Sequence, residues 1–204
     1  MKSPNFANSC ILSVLAAIAF SLASSVLTET QELRGSNLAC DVYFSPHGGA
    51  SLAVSQALDK ARSIVLVQAY FFTSVPIADA LVRAHKRGVT VKVLFDKSQK
   101  THEYSVVGIL AKAGISTKID AAHAIAHNKI MIIDEQTVIT GSFNFTKAAE
   151  ERNAENLLII HSEQLADQYV QNWQLHQRHS EPHSRTTSSD QRMPMHAKRA
   201  RSSN

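Results

Sequence analysis

The chain has 204 residues, with 21 Lys and Arg against 17 Asp and Glu and a formal net charge of +4. Once its two atypical ends are set aside, that length leaves room for one domain, and two cysteines exclude a disulfide framework. No Gly-rich nucleotide loop and no metal-ligand motif appears in it.

Met1 and Lys2 precede an apolar run from Ile11 to Leu22 and the small residues Ala23, Ser24 and Ser25. A short basic start, an apolar stretch too brief to span a bilayer comfortably and a small-residue cleavage site predict a signal peptide over residues 1–25. Export to the periplasm or the medium follows, with no stable membrane span after cleavage. Cys10 leaves with that segment, so Cys40 stands alone in an oxidising compartment, as a buried thiol or an intermolecular link.

Residues 38–177 read as one domain of alternating strands and helices. Asp41 to Ser45 predicts a strand ended by Pro46 and the Gly48-Gly49 pair, and Ala50 to Ser63 has helical spacing. Ile64 to Tyr70 is nearly continuous apolar sequence, as in a strand covered on both faces. Ser74 to Arg87 predicts a helix with Pro76 near its start, a basic last turn containing His85, and Gly88 just past it. Strands follow at Val89–Phe95, Ile115–Ile119, Lys129–Ile133, Thr137–Thr140 and Asn156–Ile160, with helices at Tyr104–Ala113 and Glu163–Gln177. The alternation predicts an α/β fold: a mixed, largely buried β-sheet flanked by helices. Trp173 on the last helix reads as core or as a dimer contact, and Phe143 and Phe145 as core.

Residues 178–204 carry six basic side chains against Glu181 and Asp190, an excess equal to the net charge of the whole chain. With almost no large apolar residue, this tail is expected to be disordered, either a solvated terminus or an arm attracting nucleic acid or anionic lipid.

The chemistry concentrates between these ends. Side chains on a strand alternate faces, so His127 and Lys129 are expected to project together. Asp134-Glu135-Gln136 forms a turn, and the return strand brings Gly141-Ser142-Phe143-Asn144 back beside them. An imidazole, an ammonium, a hydroxyl and an amide then converge. That set suits a phosphodiester, with donors for the non-bridging oxygens and a histidine for displacement at phosphorus.

The pattern H-x-K-x4-D-x6-G-S-x-N at His127, Lys129, Asp134, Gly141, Ser142 and Asn144 resembles the motif of the phospholipase D superfamily in full. At about 5% usage per residue type, six fixed positions arise by accident in such a chain on the order of a few times in a million. The likeness runs over about residues 40–177, includes Arg152-Asn153-Ala154-Glu155-Asn156, and is nearest the compact single-motif bacterial endonucleases, with the cardiolipin-hydrolase-like members further away. It implies a metal-independent, cofactor-free phosphodiesterase in which His127 attacks phosphorus and forms a phosphohistidine. Lys129, Ser142 and Asn144 would hold the phosphoryl oxygens, and Glu155 would accept the proton on the other ring nitrogen. Asp134 joins the catalytic set more as support for its loop than as a group acting on substrate.

Displacing an alkoxide needs an acid as well as a nucleophile, and one imidazole cannot be both at once. The chain holds one motif, so a homodimer with a shared active site is expected, with a bell-shaped pH profile. Nucleic acid is the expected substrate, with Lys97, Lys100 and Lys147 near loops bordering the site; phospholipid is the alternative, and a scaffold that binds phosphate without turnover is a third reading. His123 reads as a loop histidine, His161 as the solvent end of a strand, and histidines 179, 183 and 196 as too scattered for a zinc site.

Overall fold

The computed structural model describes residues 38–102 and 105–183. The predicted signal peptide, most of the basic tail (from residue 184) and Tyr104 lie outside the described residues. In chain order the elements are β1 (Ala39–Ser45), α1 (Ala50–Lys60), β2 (Ile64–Ala69), α2 (Val75–Lys86), β3 (Thr90–Asp96), a 3-10 turn (Lys97–Lys100), α3 (Val107–Lys112), β4 (Ser116–Asp120), β5 (Lys129–Ile133), β6 (Thr137–Gly141), α4 (Lys147–Glu151), β7 (Glu155–His161), α5 (Glu163–His179) and β8 (Glu181–Pro182). They form one sheet of order β1-β7-β6-β5-β2-β3-β4-β8, parallel between β2, β3 and β4 and antiparallel elsewhere. The expected mixed α/β sheet flanked by helices is what the chain adopts.

The two faces of the sheet follow from residue parity. Val65, Val67, Val91, Val93, Met131, Ile133 and Ile139 pack into one core, which also takes Ala50, Val54 and Leu58 of α1 and Ile77 and Leu81 of α2. The intervening Leu66, Leu94, Ile130, Ile132 and Val138 face the other way, against Ala166, Val170 and Trp173 of α5. Burial of each such aliphatic side chain stabilises the fold by about 1.5–3 kcal/mol. Trp173 is therefore core: it is 2% exposed, and its indole N–H donates to the Val67 carbonyl at 2.9 Å, pinning α5 to the central strand. Phe143 and Phe145 are likewise buried. Among the described residues no helix is long and apolar enough to cross a membrane.

Three departures from the sequence expectations have local causes. First, α1 stops at Lys60 rather than Ser63, because the backbone N–H groups of Arg62, Ser63 and Ile64 turn to the Asp134 carboxylate at 2.8–3.1 Å. Second, a short helix, α4, lies inside the stretch after Phe145. Thr146 caps it, and its Glu150 carboxylate accepts from Gly49 and Ser51 at 2.9 and 2.8 Å, serving as the N-terminal cap that α1 lacks from its own sequence. Third, the chain stays folded beyond residue 177. Arg178 and His179 complete α5, and Glu181–Pro182 pairs with β4 as an edge strand. Cys40, the one cysteine among the described residues, lies on β1 and is exposed rather than buried.

Asp134 sits where β5 turns into β6, with φ 53°. Besides the three backbone donors its carboxylate takes the Ser63 hydroxyl at 2.8 Å. Burial raises the carboxyl pKa, but these hydrogen bonds outweigh it and hold the pKa below the ordinary aspartate value. Asp134→Asn, which tolerates the same left-handed backbone, should lower the unfolding free energy at neutral pH by about 2 kcal/mol in urea titrations. The sign of its pH dependence is fixed. A carboxylate depressed in the folded state stabilises above its unfolded pKa of about 4, and that contribution drains away as pH falls through the lower folded value. The gap between wild type and variant should therefore close in acid; a gap that widens below about pH 4 would refute this role.

Candidate active site

One rim of the sheet collects the ends of seven strands. The antiparallel and parallel registers place Ser45 beside Glu155, Gly141 beside Leu157, Lys129 beside Ala69, Ala69 beside Phe95, and Asp96 beside Asp120. Above the middle of this rim lies an open groove of about 650 Å³ lined by His127, Lys129, Ser142, Asn144 and Glu155, with Tyr169 and Asn172 contributed by α5. Five of the sequence-predicted site residues thus share one cavity. Asp134 does not. It stands at the opposite end of β5, seven residues or roughly 20 Å of extended chain from His127.

His127 lies two residues ahead of β5 rather than within it, yet the chain there is still extended, since the Tyr70 N–H donates to the Asn128 carbonyl at 2.8 Å. The Lys129 ammonium sits 3.1 Å from each ring nitrogen of His127 and donates to its carbonyl oxygen at 2.8 Å. Lys129 is 6% exposed, whereas His127 is open to solvent. Burial pushes the lysine pKa below its usual value, and the negative charge of Glu155 partly restores it. The Tyr70 ring packs 4.5 Å from the imidazole and lies 5.1 Å from the Lys129 ammonium, fixing both from beneath.

Across the groove the Ser142 hydroxyl donates to Glu155 at 2.6 Å, and the Asn153 amide donates to the other carboxylate oxygen at 3.1 Å. Ser45 steadies this corner, accepting from the Glu155 N–H at 3.2 Å and donating to the Asn153 carbonyl at 3.0 Å. Glu155 therefore holds Ser142 and Asn153, while the His127 ring contacts Lys129. The Asn144 Oδ1 is buried without a hydrogen-bond partner. Gly141, at φ 145°, is required here: a Cβ would collide with the Asn156 carbonyl oxygen and push β6 from β7.

A solvent-open imidazole beside a buried cation, facing a hydroxyl, an amide and one carboxylate, can hold a tetrahedral oxyanion and attack at its centre. Sequence reasoning missed Tyr70, Ser45 and Asn153. The first is only the end of an apolar strand in sequence; the Ser45 hydroxyl reaches Glu155 only through the pairing of β1 with β7, and the Asn153 amide turns onto a carboxylate two residues on. Of the three lysines expected near the site, Lys97 is on this rim but donates to the His123 carbonyl at 3.0 Å, and Lys147 pairs with Glu151 at 3.6 Å. His123 and His179 are not scattered: with His176 they surround Asp120, outside the groove.

Residues 54–176 match the family model described as cardiolipin synthase, PLD-like domain. Among curated proteins, phospholipase D of Rickettsia conorii is 45% identical over 130 residues, which is 64% of this chain and 65% of that protein. The chain thus spans just under two thirds of that relative's length. Among solved structures, Nuc of Salmonella typhimurium, a phospholipase D family member, superposes with a TM-score of 0.68 at 38% identity, covering 71% of this chain and 97% of Nuc. NucT from Helicobacter pylori shares the fold, with a TM-score of 0.65 at 23% identity over 71% of this chain and 99% of NucT.

Proposed function

The chain belongs to the phospholipase D superfamily, and on that premise we propose that it is an exported phosphodiesterase working through a covalent phosphohistidine, with nucleic acid as substrate. The observation that carries this reading is the Lys129 ammonium held 3.1 Å from both ring nitrogens of a solvent-open His127. Lys129, Ser142 and Asn144 bind the non-bridging oxygens of the phosphodiester. One ring nitrogen of His127 attacks phosphorus; the bond to the leaving oxygen breaks, and that oxygen takes a proton from a second imidazole. Water then attacks the phosphohistidine, gives its proton back to the second imidazole and releases a phosphomonoester and free His127. Glu155 balances the cation and keeps Ser142 aimed into the groove.

The second imidazole is His127 of another copy in a two-fold dimer, because one chain supplies one such motif. Exposure of His127 and Ser142 on an open groove supports a site completed by a partner. Lys97 and Lys100, both exposed just past β3 on the same rim, favour a polyanion. Phospholipid is the second reading. It is favoured by Ile125, which is 57% exposed two residues before His127, and by the rickettsial relative being named a phospholipase D.

Incubation of the purified protein with plasmid DNA, RNA, phosphatidylcholine and cardiolipin, each with and without EDTA well below the melting temperature, decides between them. DNA or RNA should be cut, and EDTA should leave the rate within about two-fold, since no metal takes part in the steps above. Cleavage of lipid alone would replace the first reading by the second. Inertness toward all four would leave a phosphate-binding scaffold.

A further inference from the structure

Outside the groove, four side chains meet where β4 ends and α5 ends. Asp120 closes β4, and its side chain is fully buried. His176 and His179, one turn apart on the last turn of α5, place Nδ1 and Nε2 at 2.7 and 3.3 Å from the two carboxylate oxygens. His123, three residues after Asp120, brings Nδ1 to 3.2 Å from both oxygens. The three rings stack around one point with centroids 4.8–5.4 Å apart, and the four donor atoms all lie within 4.8 Å of one another.

A buried carboxylate could serve simply as a hub for three imidazole N–H groups. The spacing argues against that being its whole purpose. One oxygen, Oδ1, is shared by Ala122 N–H at 3.1 Å, His123 at 3.2 Å and His179 at 3.3 Å, all long for hydrogen bonds to a charged group, which run near 2.7–2.9 Å. Three nitrogen donors and one carboxylate oxygen, arranged as D-x2-H followed on a helix by H-x2-H, form the ligand set of a tetrahedral zinc-class ion. Around an ion with bonds of about 2.0–2.2 Å the ligand atoms stand roughly 3.4 Å apart, so closure asks for shifts on the order of 1 Å. The half-exposed His123 and His179, with side chains 44% and 37% exposed, have the freedom to make them and leave a route from solvent. Hard ions such as Mg²⁺ and Ca²⁺ want oxygen ligands and fit poorly.

We propose that Asp120, His123, His176 and His179 form a closed structural site for Zn²⁺, clasping the end of α5 to the loop that delivers His127. The four ligands fill a tetrahedron, leaving no open position for substrate, and none of them lines the catalytic groove. The loop they anchor runs from Asp120 to Asn128; Ala126 N–H to the Asp96 carboxylate at 2.7 Å and Lys97 to the His123 carbonyl hold its middle, and Tyr70 N–H and Lys129 hold its end at the Asn128 and His127 carbonyls. A bound ion adds a further tie, through His123 four residues from the nucleophile, between elements 56 residues apart in sequence.

The test needs no phosphodiesterase activity, so its outcome is separate from that of the proposed reaction. The purified full-length chain, stripped with chelator, is titrated with Zn²⁺ by calorimetry, and its melting temperature is read with and without the ion. One equivalent should bind in the micromolar range or tighter, raising Tm by about 5 °C or more at saturation, and Co²⁺ should give the visible bands of tetrahedral coordination. His123→Gln and His179→Gln alter half-exposed side chains and should fold. Each should weaken Zn²⁺ binding by about ten-fold or more and shrink the Tm rise at a fixed ion concentration. Absence of binding at about 100 µM Zn²⁺, or binding undiminished in both variants, would overturn the proposal.

Discussion

His127→Asn should lower phosphodiester cleavage by about 10⁴-fold or more, with the unfolding free energy unchanged within about 0.5 kcal/mol. The size follows from the chemistry: without a nucleophilic imidazole there is no phosphohistidine, and Lys129, Ser142 and Asn144 are left to bind an ester that nothing attacks. The small effect on stability follows from exposure, because the ring is open to solvent and its protein contacts are Lys129 and the Tyr70 face. The same variant tests the shared site. If one imidazole attacks while the other protonates the leaving oxygen, a mixed dimer lacks one of the two. Equal amounts of wild type and His127→Asn, unfolded and refolded together, form about one quarter wild-type dimers, so the activity per wild-type chain should fall to about half. Activity per wild-type chain that stays at its unmixed value would mean that each subunit works alone.

What was legible in the sequence depended on how far apart the cooperating residues lie. His127, Lys129, Ser142 and Asn144 sit within eighteen residues, at or just beyond the ends of two strands joined by a turn, so strand alternation and one motif bring them together. The buried strands announced themselves through apolar runs, and the ends of α2 through Pro76 and the basic last turn. The departures are all tertiary. Nothing local says that the Glu150 carboxylate will cap α1 a hundred residues earlier, or that the Asp134 carboxylate will end that same helix. The His123, His176 and His179 cluster was invisible for the same reason. Read in sequence, a loop histidine and two histidines near a basic tail lack a common partner; the sheet supplies it by running β4 up to Asp120 under the last turn of α5. Glu155 shows the limit from the other side. The resemblance identified the residue, but its hydrogen bonds to Ser142 and Asn153, rather than to the imidazole, come from the pairing of β7 with β1 and β6.

Lys129→Met should lower cleavage by about 10³-fold and yet give a protein no less stable than wild type. The first half rests on charge. The transition state gathers negative charge on the non-bridging oxygens beside His127, and a fixed ammonium there is worth what one strong donor contributes in a partly desolvated site, about 10²–10³-fold or slightly more. The second half rests on burial. Lys129 is 6% exposed, and its depressed pKa means that the folded state binds the lysine proton less readily than the unfolded chain. For a base shifted in that direction the sign is unfavourable: folding bears the cost throughout the range below the folded pKa, neutral pH included, and recovers it only as pH rises through the unfolded value near 10.4. Methionine fills the same volume without a charge to desolvate, though it gives up the bond to the His127 carbonyl. Urea unfolding at neutral pH should therefore place Lys129→Met level with or above wild type, with the difference shrinking toward pH 10. A variant that is both inactive and markedly less stable would mean that the lysine holds the loop rather than the phosphate. The buried ammonium would then be a strut, and the phosphoryl oxygens that His127 attacks between would have to be held by Ser142 and Asn144 alone.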